Sequence, residues 1–195
     1  MTTDIRRATA DDIPHLARFQ IQAYGGSNEI LYDGLAPGRS LESLIQPQFA
    51  RPNTTPFHEN HWIATRHGRV AGGMHAFPMA DMEGFPRDPL VPEERHEMVE
   101  EYLHHLPAPG TYCVHVLVVY PEVRGKGIAS TLLSLALKQA AEEGFAECSL
   151  YVLADNTGAV ALYEKHGFTV TGRCPVTQHP LLYFTGDMLL MTRAV

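Results

Sequence analysis

The order of hydrophobic and polar positions predicts alternating strands and helices along the chain. Two-residue alternation, or short apolar runs bounded by turn residues, predicts strands at 4–8, 61–66, 70–79, 111–120, 147–153, 168–173 and 182–192. Apolar residues that recur every three or four positions predict helices at 11–24, 40–49, 93–106, 128–143 and 157–166. Interleaved strands and helices are typical of an α/β sheet covered on both faces. We find no internal boundary, so we expect a single domain over residues 1–195.

The polar segment at residues 81–110 interrupts this pattern between two predicted strands. It contains several prolines and the helical stretch at 93–106, but no strand pattern. Long insertions between strands are often functional, commonly as a lid over a substrate. We therefore expect this segment to border a substrate site.

Composition and charge narrow the functional classes. The chain has 195 residues, of which 45% are hydrophobic and 19% charged, as in ordinary globular proteins. Its formal net charge of -7 argues against a broad basic face for nucleic acid. No secretory signal is recognisable, and no apolar run approaches the roughly 18 residues that a membrane span needs. Cys113, Cys148 and Cys174 lie in apolar or strand-like stretches, so we expect buried free thiols in a reducing cytoplasm.

The 11 histidines raise the question of a metal site. The chain contains neither a His-Glu-x-x-His motif nor a Cys-x-x-Cys pair. His104 and His105 are adjacent on a predicted helix and therefore point in different directions. We expect no metal ion to be required.

The most informative segment is a glycine-rich turn between a predicted strand and a predicted helix. Such a turn directs successive backbone N–H groups at one point, and the helix N-terminus adds positive potential there. Gly125 and Gly127 allow the backbone to approach an anion, and Ala129 keeps the helix start small. Arg124 and Lys126 add positive charge. The segment matches neither the Walker loop nor the dinucleotide fingerprint. It predicts a pyrophosphate site, with a plain tight turn as the alternative.

Two motifs carry a resemblance to a known family. Arg-Gly-Lys-Gly-Ile-Ala resembles the Arg/Gln-x-x-Gly-x-Gly/Ala signature of the GNAT (Gcn5-related N-acetyltransferase) superfamily, with Arg124, Gly127 and Ala129 on its fixed positions. Asn156 and the run at residues 161–168 resemble that family's second coenzyme-binding segment. The resemblance implies a mixed, mostly antiparallel sheet of about seven strands, splayed at its centre, with helices on both faces.

The motif resemblance covers roughly residues 111–173 and implies a role for each matching residue. Acetyl-CoA would be the co-substrate. Main-chain groups of Leu117, Val118 and Val119 would contact the thioester and the pantetheine arm. Arg124 and the turn formed by Gly125, Lys126, Gly127, Ile128, Ala129 and Ser130 would hold the pyrophosphate. Asn156 would hydrogen-bond the pantetheine, and Tyr163 would protonate the leaving thiolate. The alternative for Tyr163 is a core aromatic.

The general base is less clearly indicated. An alkyl amine arrives protonated, so a group with a pKa near 7 would suit. His115 is the first candidate because the serotonin N-acetyltransferase branch carries a histidine at this spacing, although Cys113 replaces that branch's second histidine. His75 and Tyr112 are weaker candidates. The alternatives are a histidine satisfied inside the sheet and a water-relayed residue elsewhere.

The resemblance implies direct transfer of acetyl from acetyl-CoA to a primary amine, preferably a small amine or an amino-acid-like metabolite. It implies neither nucleic acid nor membrane as a partner, and it allows a homodimer. Alternatives are a non-catalytic acyl-CoA sensor or scaffold, a longer acyl donor, and a protein N-terminal or lysine acetyltransferase. The segment at 81–101 carries eight acidic residues against Arg87 and Arg95. It would attract a cationic amine, unless its carboxylates form only the solvated face of a helix.

Overall fold

Seven strands form one sheet in the computed structural model, which describes residues 3–195. The strands are β1 (Asp4–Arg7), β2 (His61–Arg66), β3 (Arg69–Pro78), β4 (Tyr112–Val119), β5 (Glu147–Leu153), β6 (Thr169–Cys174) and β7 (Met188–Ala194). Their order is β1-β2-β3-β4-β5-β7-β6. Only β4 and β5 pair in parallel, so the predicted mixed, mostly antiparallel sheet is confirmed.

Helices cover both faces of this sheet, as predicted. They are α1 (Ile13–Ala23), α2 (Ser27–Tyr32), α3 (Leu41–Phe49), α4 (Glu93–His105), α5 (Ile128–Glu142) and α6 (Thr157–Lys165). Leu16 of α1 and Ile45 of α3 share one hydrophobic core with Val116 of the sheet. Leu132 of α5 lies in a second core with Val114 and Leu150. The three cysteines are buried free thiols.

The sheet opens between β4 and β5. These strands pair only at Tyr112 with Cys148 and at Cys113 with Ser149, where each strand begins. Beyond this point β4 pairs with β3 alone, and β5 pairs with β7 alone. The facing backbone edges of β4 and β5 therefore diverge, which confirms the predicted central splay.

Two segments differ from the sequence-based expectation. The helix predicted at 11–24 ends at Ala23, just before Gly25 and Gly26, but the chain then re-enters a helix as α2, which the pattern did not indicate. Gly26 has φ 105°, and a Cβ there would lie 2.0 Å from the Leu181 carbonyl oxygen. The last strand was expected from residue 182, yet β7 begins at Met188. The chain before it is held in a loop instead, because the Tyr183 N–H bonds the Gly25 carbonyl at 2.7 Å.

The insertion before β4 is tied to two parts of the fold. Arg95 of α4 donates to the backbone carbonyls of Ile30, Leu31 and Asp33 at 3.2, 3.2 and 2.7 Å. At the other end, the Tyr151 hydroxyl of β5 donates to the Leu106 carbonyl at 2.6 Å. The insertion thus spans from α2 to β5 across the open side of the sheet. Among the described residues, no helix is long and apolar enough to cross a membrane.

Candidate active site

One cavity of about 1350 Å³ lies where β4 and β5 diverge. One side of it is lined by the end of β4, the glycine turn and the start of α6. The other side is lined by α1, α2, α3 and the insertion. The cavity therefore joins the predicted coenzyme side to a second region large enough for an acceptor.

Most of the predicted coenzyme-binding residues line this cavity. They are Leu117, Val118, Val119, Arg124, Gly125, Gly127, Ile128, Ala129, Ser130 and Asn156. Lys126 is exposed and lies outside the lining.

The glycine turn has the geometry that an anion site requires. Gly125 and Gly127 have φ 71° and 80°, a region that favours glycine. A Cβ at either position would meet no atom within 4 Å, so the space beside this backbone is open. The first backbone bond of α5 runs from the Thr131 N–H to the Gly127 carbonyl at 3.0 Å. The preceding N–H groups are those that a helix start leaves without helical partners. The turn therefore fits the pyrophosphate of a coenzyme.

Asn156 and Ser130 are held in place by local bonds. The Asn156 side-chain oxygen caps α6 by accepting from the Ala159 N–H at 3.4 Å. That use of the oxygen leaves its NH₂ group as the donor for a ligand carbonyl. The Ser130 hydroxyl lies 2.9 Å from Nε2 of His166, a residue that the sequence patterns did not single out. This contact joins the start of α5 to the end of α6.

Tyr163 lies on α6 between the hydrophobic core and the cavity. Its side chain is 9% exposed, and its ring packs against Phe168 with centroids 6.0 Å apart. Burial raises the pKa of its hydroxyl to about 12. The phenol is therefore protonated at neutral pH. Both readings of Tyr163 agree with this position, because the ring belongs to the core while the residue also lines the cavity.

His115 lines the cavity on the acceptor side of β4. It is the extra residue of a β-bulge, since His75 faces Val116 and Ala76 faces Val114 across the ladder. Its Nε2 lies 3.0 Å from the Tyr24 hydroxyl, and its Nδ1 is buried without a partner among the protein atoms.

The surroundings of His115 determine its protonation state. The rings of Phe77, Phe85 and His75 lie 5.3, 5.0 and 5.7 Å from its own, centroid to centroid. Burial lowers the pKa of His115 to about 4. This apolar setting disfavours the charged ring, so the pKa of His115 lies below the value near 7 expected of a general base.

Tyr24 is a site residue that the sequence patterns did not indicate. It is the C-cap of α1, lines the cavity and contacts His115. Burial raises the pKa of its hydroxyl well above the usual value, so it stays protonated. Its sequence context is an amphipathic helix end before two glycines, which carries no sign of a catalytic role.

The weaker base candidates lie elsewhere. Tyr112 is buried outside the cavity, with its hydroxyl bonded to the Ala76 carbonyl at 3.2 Å. His75 is 1% exposed and also lies outside the large cavity. Neither can reach a substrate directly. Among residues 3–195, no group of three or more histidine, cysteine or acidic side chains is placed to hold a metal ion.

Charged side chains of both signs surround the acceptor side of the cavity. The carboxylates that line it are Glu83, Asp88 and Glu100, and the guanidinium groups are Arg39, Arg51 and Arg87. Within this set, Arg87 pairs with Glu100 at 2.8 Å. The exposed carboxylates of Glu93, Glu94 and Glu97 do not line the cavity. Part of the acidic segment thus forms a solvated helix face, as the alternative interpretation held.

Comparison with known proteins points to one family. The model of the acetyltransferase (GNAT) family matches residues 31–168. An uncharacterized N-acetyltransferase of Escherichia coli K12, YjgM, is 30% identical over 167 residues, which cover 84% of this chain and 80% of that protein. A mycothiol acetyltransferase of Streptomyces griseus is 46% identical over 56 residues, which are 29% of this chain and only 18% of that enzyme.

Solved structures show the same fold at low sequence identity. A crystal structure of an N-acetyltransferase from Staphylococcus aureus Mu50 superposes with a TM-score of 0.70 at 19% identity. The match covers 97% of this chain and 100% of that one. At this level of identity the likeness concerns the fold alone.

Proposed function

Since the chain belongs to the GNAT family of acetyltransferases, we propose that it transfers the acetyl group of acetyl-CoA directly to the primary amine of a small, amino-acid-like acceptor. Membership makes it an acetyl-CoA-dependent acyltransferase. The observation that carries the proposal is the single cavity that connects the glycine turn to Tyr163, His115 and Tyr24. Both substrates can therefore bind side by side in one cavity.

The coenzyme side of the cavity supports binding of an extended, anionic molecule. The turn from Gly125 to Ser130 would receive the pyrophosphate on its N–H groups, with positive potential from the start of α5. The β4 edge at Leu117 to Val119 lacks a neighbouring strand on the β5 side, so its main-chain groups are available to the pantetheine arm. The Asn156 amide would donate to that arm. These contacts would position the thioester beside β4.

Tyr163 would stabilise the departing sulfur. A thiol has an ordinary pKa near 8.5, whereas that of Tyr163 is about 12, so full proton transfer to an unperturbed thiolate would cost about 5 kcal/mol. Burial raises the pKa of a thiol as well. The position therefore fits best with a hydrogen bond from the Tyr163 hydroxyl to the sulfur. The proton would be transferred once the pKa of the buried thiol approaches that of the hydroxyl.

His115 would act after the nitrogen begins to bond to the acetyl carbon. A base with a pKa near 4 is about 6 pH units weaker than an alkyl amine, so removing a proton from the ammonium would cost about 8 kcal/mol. The neutral amine is therefore the reactive form. Once its nitrogen bonds to the acetyl carbon, its protons become strongly acidic, and Tyr24 and His115 can accept one. Tyr24 would take that proton while passing its own to Nε2 of His115.

The mixed charge around the acceptor side favours an acceptor that carries both an amine and a carboxylate. The carboxylates of Glu83 and Asp88 would attract the amine end. Arg39 and Arg51 line the same region and make no salt bridge within residues 3–195. They remain available to a carboxylate. A simple cationic amine would leave these two guanidinium groups without an anionic partner.

An acceptor screen tests the proposal. Release of free thiol from acetyl-CoA would be followed with three sets of acceptors. These are amino acids, the amines formed by their decarboxylation, and peptides that begin with the same amino acids. We expect amino-acid-like acceptors to give the highest kcat/KM, and Arg51→Gln to reduce this preference over the matched amine. Tight acetyl-CoA binding without turnover of any amine would favour the sensor or scaffold alternative. Preference for peptides would favour a protein acetyltransferase.

A further inference from the structure

A second, much smaller cavity is also lined by His115. Its volume is about 10 Å³, close to the space that one water molecule needs. It is lined mainly by apolar side chains, among them Leu16, Phe19 and Met74, together with the polar side chains of Gln20, His61, His75 and His115. A water is stable in such a place only where polar atoms face it.

His75 offers one such atom. Its side chain is 1% exposed, and its Nε2 is buried without a protein partner. The Thr55 backbone lies beside the ring and favours a proton on it, and since Nε2 has no partner, the nitrogen that faces Thr55 is Nδ1. Burial holds the pKa of His75 well below its usual value, so the ring is neutral. A neutral ring that donates through Nδ1 has a bare, accepting Nε2.

His115 offers the complementary atom. A phenol is a better donor than acceptor, so the Tyr24 hydroxyl donates to Nε2 of His115 across the 3.0 Å contact. The neutral imidazole must then carry its proton on Nδ1. This nitrogen is buried and has no protein partner either. Two residues that line the small cavity thus each carry an unpaired buried nitrogen: Nε2 of His75 as an acceptor and Nδ1–H of His115 as a donor.

We propose that one water in this small cavity accepts from Nδ1–H of His115 and donates to Nε2 of His75, making His75 a positioning residue for the reaction. The ring centroids lie 5.7 Å apart, which suits one bridging molecule. The bridge fixes the tautomer in which Nε2 of His115 faces Tyr24 as an acceptor. It also satisfies two buried polar atoms that would otherwise each be costly.

The bridge has a consequence for proton movement, which rests on the proposed function. When Tyr24 takes a proton from the reacting nitrogen, its own proton passes to Nε2 of His115, and the charge appears on that imidazole. Hydrogen bonds from Nδ1–H of His115 to the water, and from the water to His75, then stabilise this charge. No proton is lost from this series of groups. Other charged or titratable groups near His75 are His61, stacked on it at 4.0 Å between centroids, and Arg7.

The test is the tautomer of His115, read by long-range ¹H–¹⁵N correlation on protein labelled at its histidines. We expect Nδ1 of His115 to be protonated and Nε2 to be bare in the native protein. His75→Leu removes the acceptor, so the Nε2–H form of His115 should appear. His75→Gln restores a carbonyl acceptor and should return the native tautomer. His104→Gln, on the exposed side of α4, serves as the matched control.

Kinetics give a second readout. His75→Leu should lower kcat about tenfold or more, without changing KM for acetyl-CoA, and His75→Gln should recover most of the loss. An Nε2–H tautomer of His115 in the native protein would overturn the proposal, as would an unchanged Nδ1–H tautomer in a folded His75→Leu variant. The spectroscopic result does not depend on turnover. It therefore separates failure of this inference from failure of the proposed acetyl transfer.

Discussion

At the residue scale, burial sets the chemistry of the two candidate catalytic side chains. It raises the pKa of Tyr163 to about 12 and lowers that of His115 to about 4. Both groups are therefore neutral across the physiological range. Desolvation disfavours the charged form of any group, so burial weakens both Tyr163 as an acid and His115 as a base. Such a pair works on developing charges in a cleft rather than on charges already present in solution.

The Tyr163 hydroxyl is predicted to matter for the chemical step rather than for binding. Tyr163→Phe keeps the ring against Phe168 and removes only the hydroxyl. We expect kcat to fall by about 10²–10³, with KM for acetyl-CoA unchanged. Tyr112→Phe is the matched control, because that hydroxyl is buried outside the cavity. Wild-type turnover in the Tyr163 variant would mean that another group, or water, protonates the leaving thiolate.

The pH dependence should follow the amine rather than His115. Because His115 is too weak to deprotonate an ammonium group, kcat/KM should rise with pH until the amine's own pKa is reached. Two acceptors whose pKa values differ by two units should show midpoints displaced by the same amount. No separate inflection in this rise is expected between pH 6.5 and 7.5, where an unperturbed histidine would titrate.

The matching variant is His115→Asn, which removes the imidazole. It should lower kcat and leave the shape of this profile unchanged. A midpoint fixed near pH 7 for both acceptors, and lost in His115→Asn, would instead identify His115 as the base that deprotonates the ammonium. That outcome would contradict the low pKa attributed to its burial.

At the element scale, the glycine turn and the start of α5 act as one unit. The turn needs positive φ at Gly125 and Gly127, and the same backbone leaves open space for an anion. Gly127→Glu would place a carboxylate where phosphate oxygens bind. We expect acetyl-CoA binding measured by calorimetry to be lost in a folded protein.

The control for this variant is Gly144→Glu. Gly144 follows α5, also has a positive φ of 83° and also has open space beside it, so the backbone strain is matched. The affinity of the Gly144→Glu variant for acetyl-CoA should equal that of the wild type. Equal affinity in Gly127→Glu as well would overturn the assignment of the turn.

The insertion is predicted to act through the carboxylates that face the cavity. Glu83→Gln with Glu100→Gln should raise KM for the amine at low salt, because two negative charges leave the acceptor side and Arg87 loses a partner. Added salt should shrink the difference, since exposed charges are screened over about 8–10 Å. Glu94→Gln with Glu97→Gln, outside the lining, should have no effect on KM. Equal KM in both double variants would exclude electrostatic capture by this segment.

Sequence patterns predicted elements well where one face of each is apolar. The helices at the start of the chain, in the insertion and after the glycine turn, and all seven strands, follow from such periodicity. The patterns failed at α2 and at the start of β7 because contacts distant in sequence decide both places. The chain at 181–183 packs on the glycine pair and bonds Gly25, which no local pattern indicates.

At the scale of the whole molecule, the sequence predicted most of the coenzyme side of the cavity but, on the acceptor side, only His115 and the insertion. The residues of the coenzyme side are contiguous in sequence, since one turn and one helix start supply most of the contacts. The acceptor side is assembled from α1, α2, α3 and the insertion, so its residues are far apart in the chain. Tyr24 illustrates the difficulty, because it lies 91 positions from His115, the ring it contacts.

In the proposed reaction, both substrates meet in one cavity and acetyl moves directly between them. The most direct measurement pairs free-thiol release with mass spectrometry of the acceptor in the same reaction. We expect one acetylated amine for each thiol released, no release without an amine, and no acetylated form of the protein during turnover. Thiol release without an acetylated acceptor, or an acetyl group retained on the protein as an intermediate, would contradict it.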